Sequence, residues 1–94
     1  MDKRKAERFA SFVKTEARVP ATRVGVTILD ISSSGCKLST QSKLAQVGAS
    51  IVVSLTDDVV VGGWIVWKSG EVCGVEFDEA LNQSFMSDFQ AFVK

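Results

Sequence analysis

A two-residue alternation of apolar and polar side chains runs through the first three quarters of the chain and points to half-buried β-strands. Over residues 13–19, Val13, Thr15, Ala17 and Val19 alternate with Lys14, Glu16 and Arg18. A period of two places the first set on one face and the charges on the other. Pro20 and the polar residues after it mark a turn. Val24, Val26 and Ile28 share one face of a second strand that ends near Asp30. Residues 30–35, Asp-Ile-Ser-Ser-Ser-Gly, are turn chemistry, and a short third strand follows at 36–40. Ile51, Val53 and Leu55 form one face of a fourth strand, and Thr56-Asp57-Asp58 reads as a hairpin turn. A fifth strand runs from Val59 to about Lys68 with Gly62-Gly63 inside it, a pair that marks a bulge, a bend or a close backbone approach. Ser69-Gly70-Glu71 is another turn, and the sixth strand is Val72–Phe77.

The period then changes. Leu81, Phe85, Phe89, Phe92 and Val93 fall on one stripe at helical spacing, with Asn82 or Ser84 placed to cap the start. Such a stripe is ordinarily a core-facing seam. Six short strands followed by one amphipathic helix describe an all-β sandwich or small barrel. The helix is expected to cover an open end or edge. This divides the chain into a charged, flexible arm at 1–8, a β-domain at 9–77 and a helix at 81–93.

Ninety-four residues are room for one domain, and a hydrophobic fraction of 46% is too high for a disordered chain. There is no apolar run long enough to span a bilayer, so no membrane insertion is expected. The first eight residues are charged and lead into no signal-like apolar stretch, which makes a cytoplasmic location the default expectation. Eleven basic residues balance eleven acidic ones. That balance argues against a partner that is a nucleic-acid polymer, whose binders present a strongly basic face. The charge is unevenly placed, with Lys3, Arg4, Lys5 and Arg8 against Asp2 and Glu7 in the arm. A basic arm on a neutral domain suits a small anionic ligand. Cys36 and Cys73 make neither a disulfide framework nor a metal cluster, and both sit in phase with apolar neighbours as buried thiols. No metal and no cofactor are expected. The chain has no histidine, which removes the commonest general base.

Two spaced patterns carry chemistry. Arg4-Lys5-Ala6-Glu7-Arg8 is an RxxxR, and residues 30–35 are a DxSxxG. Each by itself is common, and the ordinary reading of 30–35 is a turn held by side-chain-to-backbone bonds. Their order is far more specific, with RxxxR before the first strand and DxSxxG between the second and third. That combination resembles the PilZ family of bacterial cyclic di-GMP receptors. The resemblance extends to Gly74-Val75-Glu76-Phe77, similar to the family's closing GVxF, and to Trp64-Ile65-Val66-Trp67, similar to its penultimate strand. It implies a six-stranded antiparallel β-barrel with one C-terminal α-helix. One departure is Lys3, where many members carry a third arginine; lysine keeps the charge but loses the planar fork and stacking face.

The resemblance implies a ligand, cyclic di-GMP, held by Arg4, Arg8, Asp30, Ser32 and Gly35, with Lys3 and Trp64 as further candidates. The residue types fit. A guanidinium pairs two N–H donors with guanine O6 and N7, forks onto phosphate, or stacks over a purine. Arg4 and Arg8 would be about 13 Å apart on an extended arm and about 6 Å apart on a helical one. Asp30 can accept from guanine N–H groups or hold an arginine, and the Ser32 hydroxyl can donate to base, phosphate or backbone. Gly35 supplies a positive φ or a close approach. Trp67 shares phase with Val61 and Ile65 and is expected in the core, whereas Trp64 faces outward, either beside the ligand or against the C-terminal helix. The expected mechanism is ordering of the arm against the 30–35 loop on ligand binding. The new surface is then read by an effector protein in motility, biofilm or exopolysaccharide control. Three other readings compete: an adaptor of the same fold that does not bind the nucleotide, a single-strand nucleic-acid barrel, and an enzyme. The adaptor reading would lead one to expect a broken motif, and neither is broken. A nucleic-acid barrel needs a basic groove with aromatic platforms. An enzyme needs a nucleophile–base pair or metal cluster, and none stands out.

Overall fold

The computed structural model describes residues 9–56, 58–81 and 85–86, with side chains from residue 12 onward. Six antiparallel strands follow in chain order: β1 (Phe9–Arg18), β2 (Arg23–Ile31), β3 (Gly35–Ser39), β4 (Ser50–Ser54), β5 (Val60–Ser69) and β6 (Val72–Phe77). They close into a barrel in the order β1-β2-β3-β6-β5-β4, sealed where Ala17 and Arg18 pair with Val53 and Val52. Closure leaves no open sheet edge. The six strands read from alternation are therefore present, and they form a barrel and not a sandwich.

Alternation fills the interior. Ile28, Ile31, Leu38, Ile51, Leu55 and Ile65 are fully buried, with Val19, Val53, Cys36 and Cys73 between them. Burying each large aliphatic contributes about 1.5–3 kcal/mol. The β5–β6 hairpin turns through Gly70 at φ 61°, in the first of two loop positions, as a type II′ turn requires. Neither cysteine is in a disulfide and both are buried, as their phase implied. Of the helix expected at 81–93, most lies outside the described residues. Met86 is buried in the core, and Leu81 and Phe85 pack against it.

Three bulges interrupt the ladders, and two of them decide which residues face solvent. Ile28 pairs with Leu38 and Asp30 with Lys37, so Leu29 is an extra residue in β2. Ile65 pairs with Val75 and Trp67 with Gly74, so Val66 is an extra residue in β5. A bulge shifts the side-chain phase by one. In β2 it turns Asp30 outward and sends Ile31 fully inside. The turn expected from residue 30 thus starts two residues later, at Ser32. In β5 the bulge corrects the expectation for Trp67. In unbroken phase with Ile65 it would be core, but it is 42% exposed. Lys68 is turned the other way, and its ammonium donates to the Ala45 carbonyl at 2.8 Å.

Candidate functional site

The 30–35 loop is braced by its own polar atoms. The Ser32 N–H donates to the Gly35 carbonyl at 2.8 Å, and the Ser32 hydroxyl reaches the same oxygen at 3.3 Å. That hydroxyl also accepts from the Ser34 N–H at 3.3 Å. Ser32 is only 2% exposed, so of the roles open to it the described geometry displays the backbone one. The loop's carbonyls tie down the end of β6 and the chain after it: Phe77 N–H donates to the Ser34 carbonyl at 2.9 Å and Leu81 N–H to the Ser33 carbonyl at 2.8 Å. Gly35 has no positive φ. A Cβ there would stand 2.2 Å from the Val75 carbonyl oxygen, so glycine is required by close approach of β3 to β6.

Beside this loop the outer wall holds a groove of about 550 Å³. Its lining includes Asp30, Ser34, Gly35, Lys37, Trp67, Gly74 and Glu76. Asp30 lies at the lip, its carboxylate 3.6 Å from the Lys37 ammonium. Lys37 pairs with Gly74 across β3–β6, and Gly74 with Trp67 across β6–β5. The Trp67 indole lies over Gly74: a Cβ on Gly74 would be 2.1 Å from its Nε1 and 2.4 Å from its Cε2. The glycine thus acts as the seat of the ring. The groove therefore offers an aromatic surface, an indole N–H, a carboxylate and an ammonium, which suits a ligand with flat bases and anionic linkers.

A family model described as the PilZ domain matches residues 2–94. The chain belongs to the PilZ domain family. No curated protein matches it. PilZ domains are binding and adaptor domains associated with cyclic di-GMP, and the closed six-stranded barrel of this one fits that membership. No described helix is long and apolar enough to cross a membrane, and no metal-binding cluster occurs among the described residues.

Of the residues singled out in the sequence of this PilZ domain, the structure brings together Asp30, Ser32 and Gly35. Lys3, Arg4 and Arg8 lie outside the described residues. Trp64 faces outward as expected, 45% exposed, opposite Glu76 and Ser50, but it does not line the groove. Trp67 does, and sequence reasoning missed it. Two signals were present. Trp64-Ile65-Val66-Trp67 breaks the alternation with four consecutive apolar residues, and Gly74 interrupts a mostly apolar strand at an outward position. A lone strand glycine of that kind marks a close approach, here of an indole. Lys37 was missed too; it carries no motif and is recognised only from its place in the register.

Proposed function

We propose that this PilZ domain is a cyclic di-GMP receptor whose Arg4 and Arg8 close on the 30–35 loop around the ligand, and which signals to a partner protein in motility, biofilm or exopolysaccharide control. One observation carries the reading: Ala10 of β1 pairs with Asp30 of β2. Arg8 stands two residues before Ala10, so chain geometry keeps its Cα within about 7 Å of Ala10's. The start of β1 therefore lies beside the DxSxxG loop, and the RxxxR motif immediately precedes β1 in sequence, although Arg8 and Asp30 are 22 positions apart. A guanidinium there can reach Asp30, a guanine edge or a phosphate.

In this reading Asp30 accepts from guanine N–H groups or orients an arginine, Ser32 and Gly35 fix the loop, and Trp67 takes the place beside the ligand first considered for Trp64, where its ring can stack on a base. Bringing arm and ligand together costs conformational entropy, so affinity depends on both arginines. Calorimetric titration with cyclic di-GMP tests the proposal, run on the wild type and on the Arg4→Ala, Arg8→Ala double variant. Saturable binding that is lost in the variant supports it. Absence of heat and of any thermal shift in the wild type at high ligand concentration overturns it and favours an adaptor that does not bind the nucleotide.

A further inference from the structure

The outer wall of the barrel carries one continuous register row: Asp30 on β2, Lys37 on β3, Gly74 on β6 and Trp67 on β5. Adjacent strands are about 4.8 Å apart, so the row spans roughly 14 Å, comparable with a dinucleotide. Lys37 sits inside this row, between the carboxylate at one end and the indole towards the other. Among the described residues that line the groove, Lys37 is the one cation, set against the carboxylates of Asp30 and Glu76. Without it, the described wall would present only negative charge to a ligand with two phosphodiesters.

We propose that Lys37 is a phosphate-binding residue of the groove, held by Asp30 in the empty site and transferred to a phosphodiester of the ligand on binding. The assignment rests on the cyclic di-GMP reading above. Three features make the transfer easy. The Asp30–Lys37 contact, at 3.6 Å, is longer than a tight charge-assisted hydrogen bond, and the lysine side chain is 42% exposed. Lysine is also a long-stemmed point charge that can swing from one oxygen to another without a fixed fork geometry. Finally, Gly74 lacks a Cβ, so no side chain from β6 stands between the Lys37 stem and the Trp67 ring.

The test is calorimetric titration of the full chain with cyclic di-GMP at low and high salt, for the wild type, Lys37→Met, Lys37→Arg and Lys14→Met. Methionine keeps the apolar stem and removes the charge. Lys37→Met is expected to weaken binding about 10- to 100-fold, the range for losing a hydrogen bond to a charged group. It is also expected to flatten the salt dependence, because one screened attraction has gone. Lys37→Arg should keep both affinity and salt dependence near wild type, and Lys14→Met, which removes a lysine elsewhere on the wall, should change neither. The phosphorus resonances of the bound ligand should differ between wild type and Lys37→Met, a change that a purely structural lysine would not produce. Wild-type binding with an unchanged affinity and salt slope in Lys37→Met overturns this assignment alone. Failure of the wild type to bind overturns the receptor reading and the assignment with it.

Discussion

Two grooves of the same size, about 550 Å³ each, mark the outer wall of this barrel, and only one has the equipment of a nucleotide site. The first, over β2, β3, β6 and β5, presents Asp30, Lys37 and Trp67. The second, over β1, β2 and β3, is lined by Lys14, Thr15, Gly25, Thr40 and Glu71 among others. Two of its hydroxyls are engaged at home. Thr40 donates to the Gly25 carbonyl at 2.9 Å and accepts from the Ser42 N–H at 3.2 Å, and Thr15 donates to the Ser54 carbonyl at 2.8 Å. Among the described residues that line it there is no aromatic ring. The walls differ in one structural respect. Around the second groove the β1–β2 pairing from Val13 to Arg18 runs in unbroken register, whereas the first is flanked by the Leu29 and Val66 bulges. Volume comes from the curvature of a small barrel; chemistry comes from the register breaks that turn Asp30 and Trp67 out of it.

Matched substitutions test that contrast, and the largest effect belongs to the glycines. Gly35→Ala places a Cβ 2.2 Å from a backbone oxygen that has no room to yield, whereas a Cβ on Gly25 meets nothing within 4 Å. Gly35→Ala should destabilise the fold by about 3 kcal/mol, a fall in Tm of roughly 12–24 °C. Gly25→Ala should leave Tm unchanged or raise it slightly. Equal melting curves for the two would break the close-approach argument. Next are the carboxylates. Asp30→Ala should weaken cyclic di-GMP binding about 10- to 100-fold, while Glu71→Ala in the second groove leaves calorimetric affinity unchanged. Loss in both would mean that general charge, and not the first groove, is being measured.

The tryptophans sharpen the comparison within a single strand. Stacking of a base on an aromatic ring is worth about 1–3 kcal/mol, so Trp67→Ala should weaken binding roughly 5- to 100-fold, with Trp64→Ala close to wild type. Fluorescence distinguishes them directly. Trp64→Phe, which keeps Trp67, should show an emission change on adding ligand, and Trp67→Phe, which keeps Trp64, should not. The reverse pattern would move the aromatic wall of the site to Trp64.

The strands were legible because alternation is a local property: Val13 to Val19, Ile51 to Leu55 and Val72–Phe77 each declare their faces within a few residues. The loop end of the site was legible for a similar reason, since Asp, Ser and Gly at fixed offsets specify a self-braced turn. Trp67 was not. Its orientation depends on one extra residue, Val66, in a ladder with β6, and pairing across strands is not written in either strand alone. Lys37 matters only because β3 sits between β2 and β6, a topological fact about the closed barrel. Sequence reading thus found the residues fixed by their neighbours in the chain and missed those fixed by their neighbours across strands.

The smallest effect lies behind the groove, on the inner side of the same β5 bulge. Because Val66 shifts the phase, Lys68 points opposite to Trp67, pairs with Cys73 in the β5–β6 ladder and bonds the Ala45 carbonyl. Burial pushes the Cys73 thiol above its ordinary 9.0, and the Lys68 charge offsets part of that rise. The folded state therefore holds the proton more tightly than the unfolded chain does. The resulting stability is fully present below pH 9.0 and is lost as pH rises through the folded-state value. Cys73→Ala should remove this decline in denaturant midpoint above pH 9, at the cost of a small cavity at all pH values. Lys68→Met, which takes away the opposing charge, should push the thiol further up and delay its titration. A midpoint that falls equally in wild type and Cys73→Ala would show that the alkaline loss originates elsewhere, and that the inward turn of Lys68 has no electrostatic consequence for the wall behind Trp67.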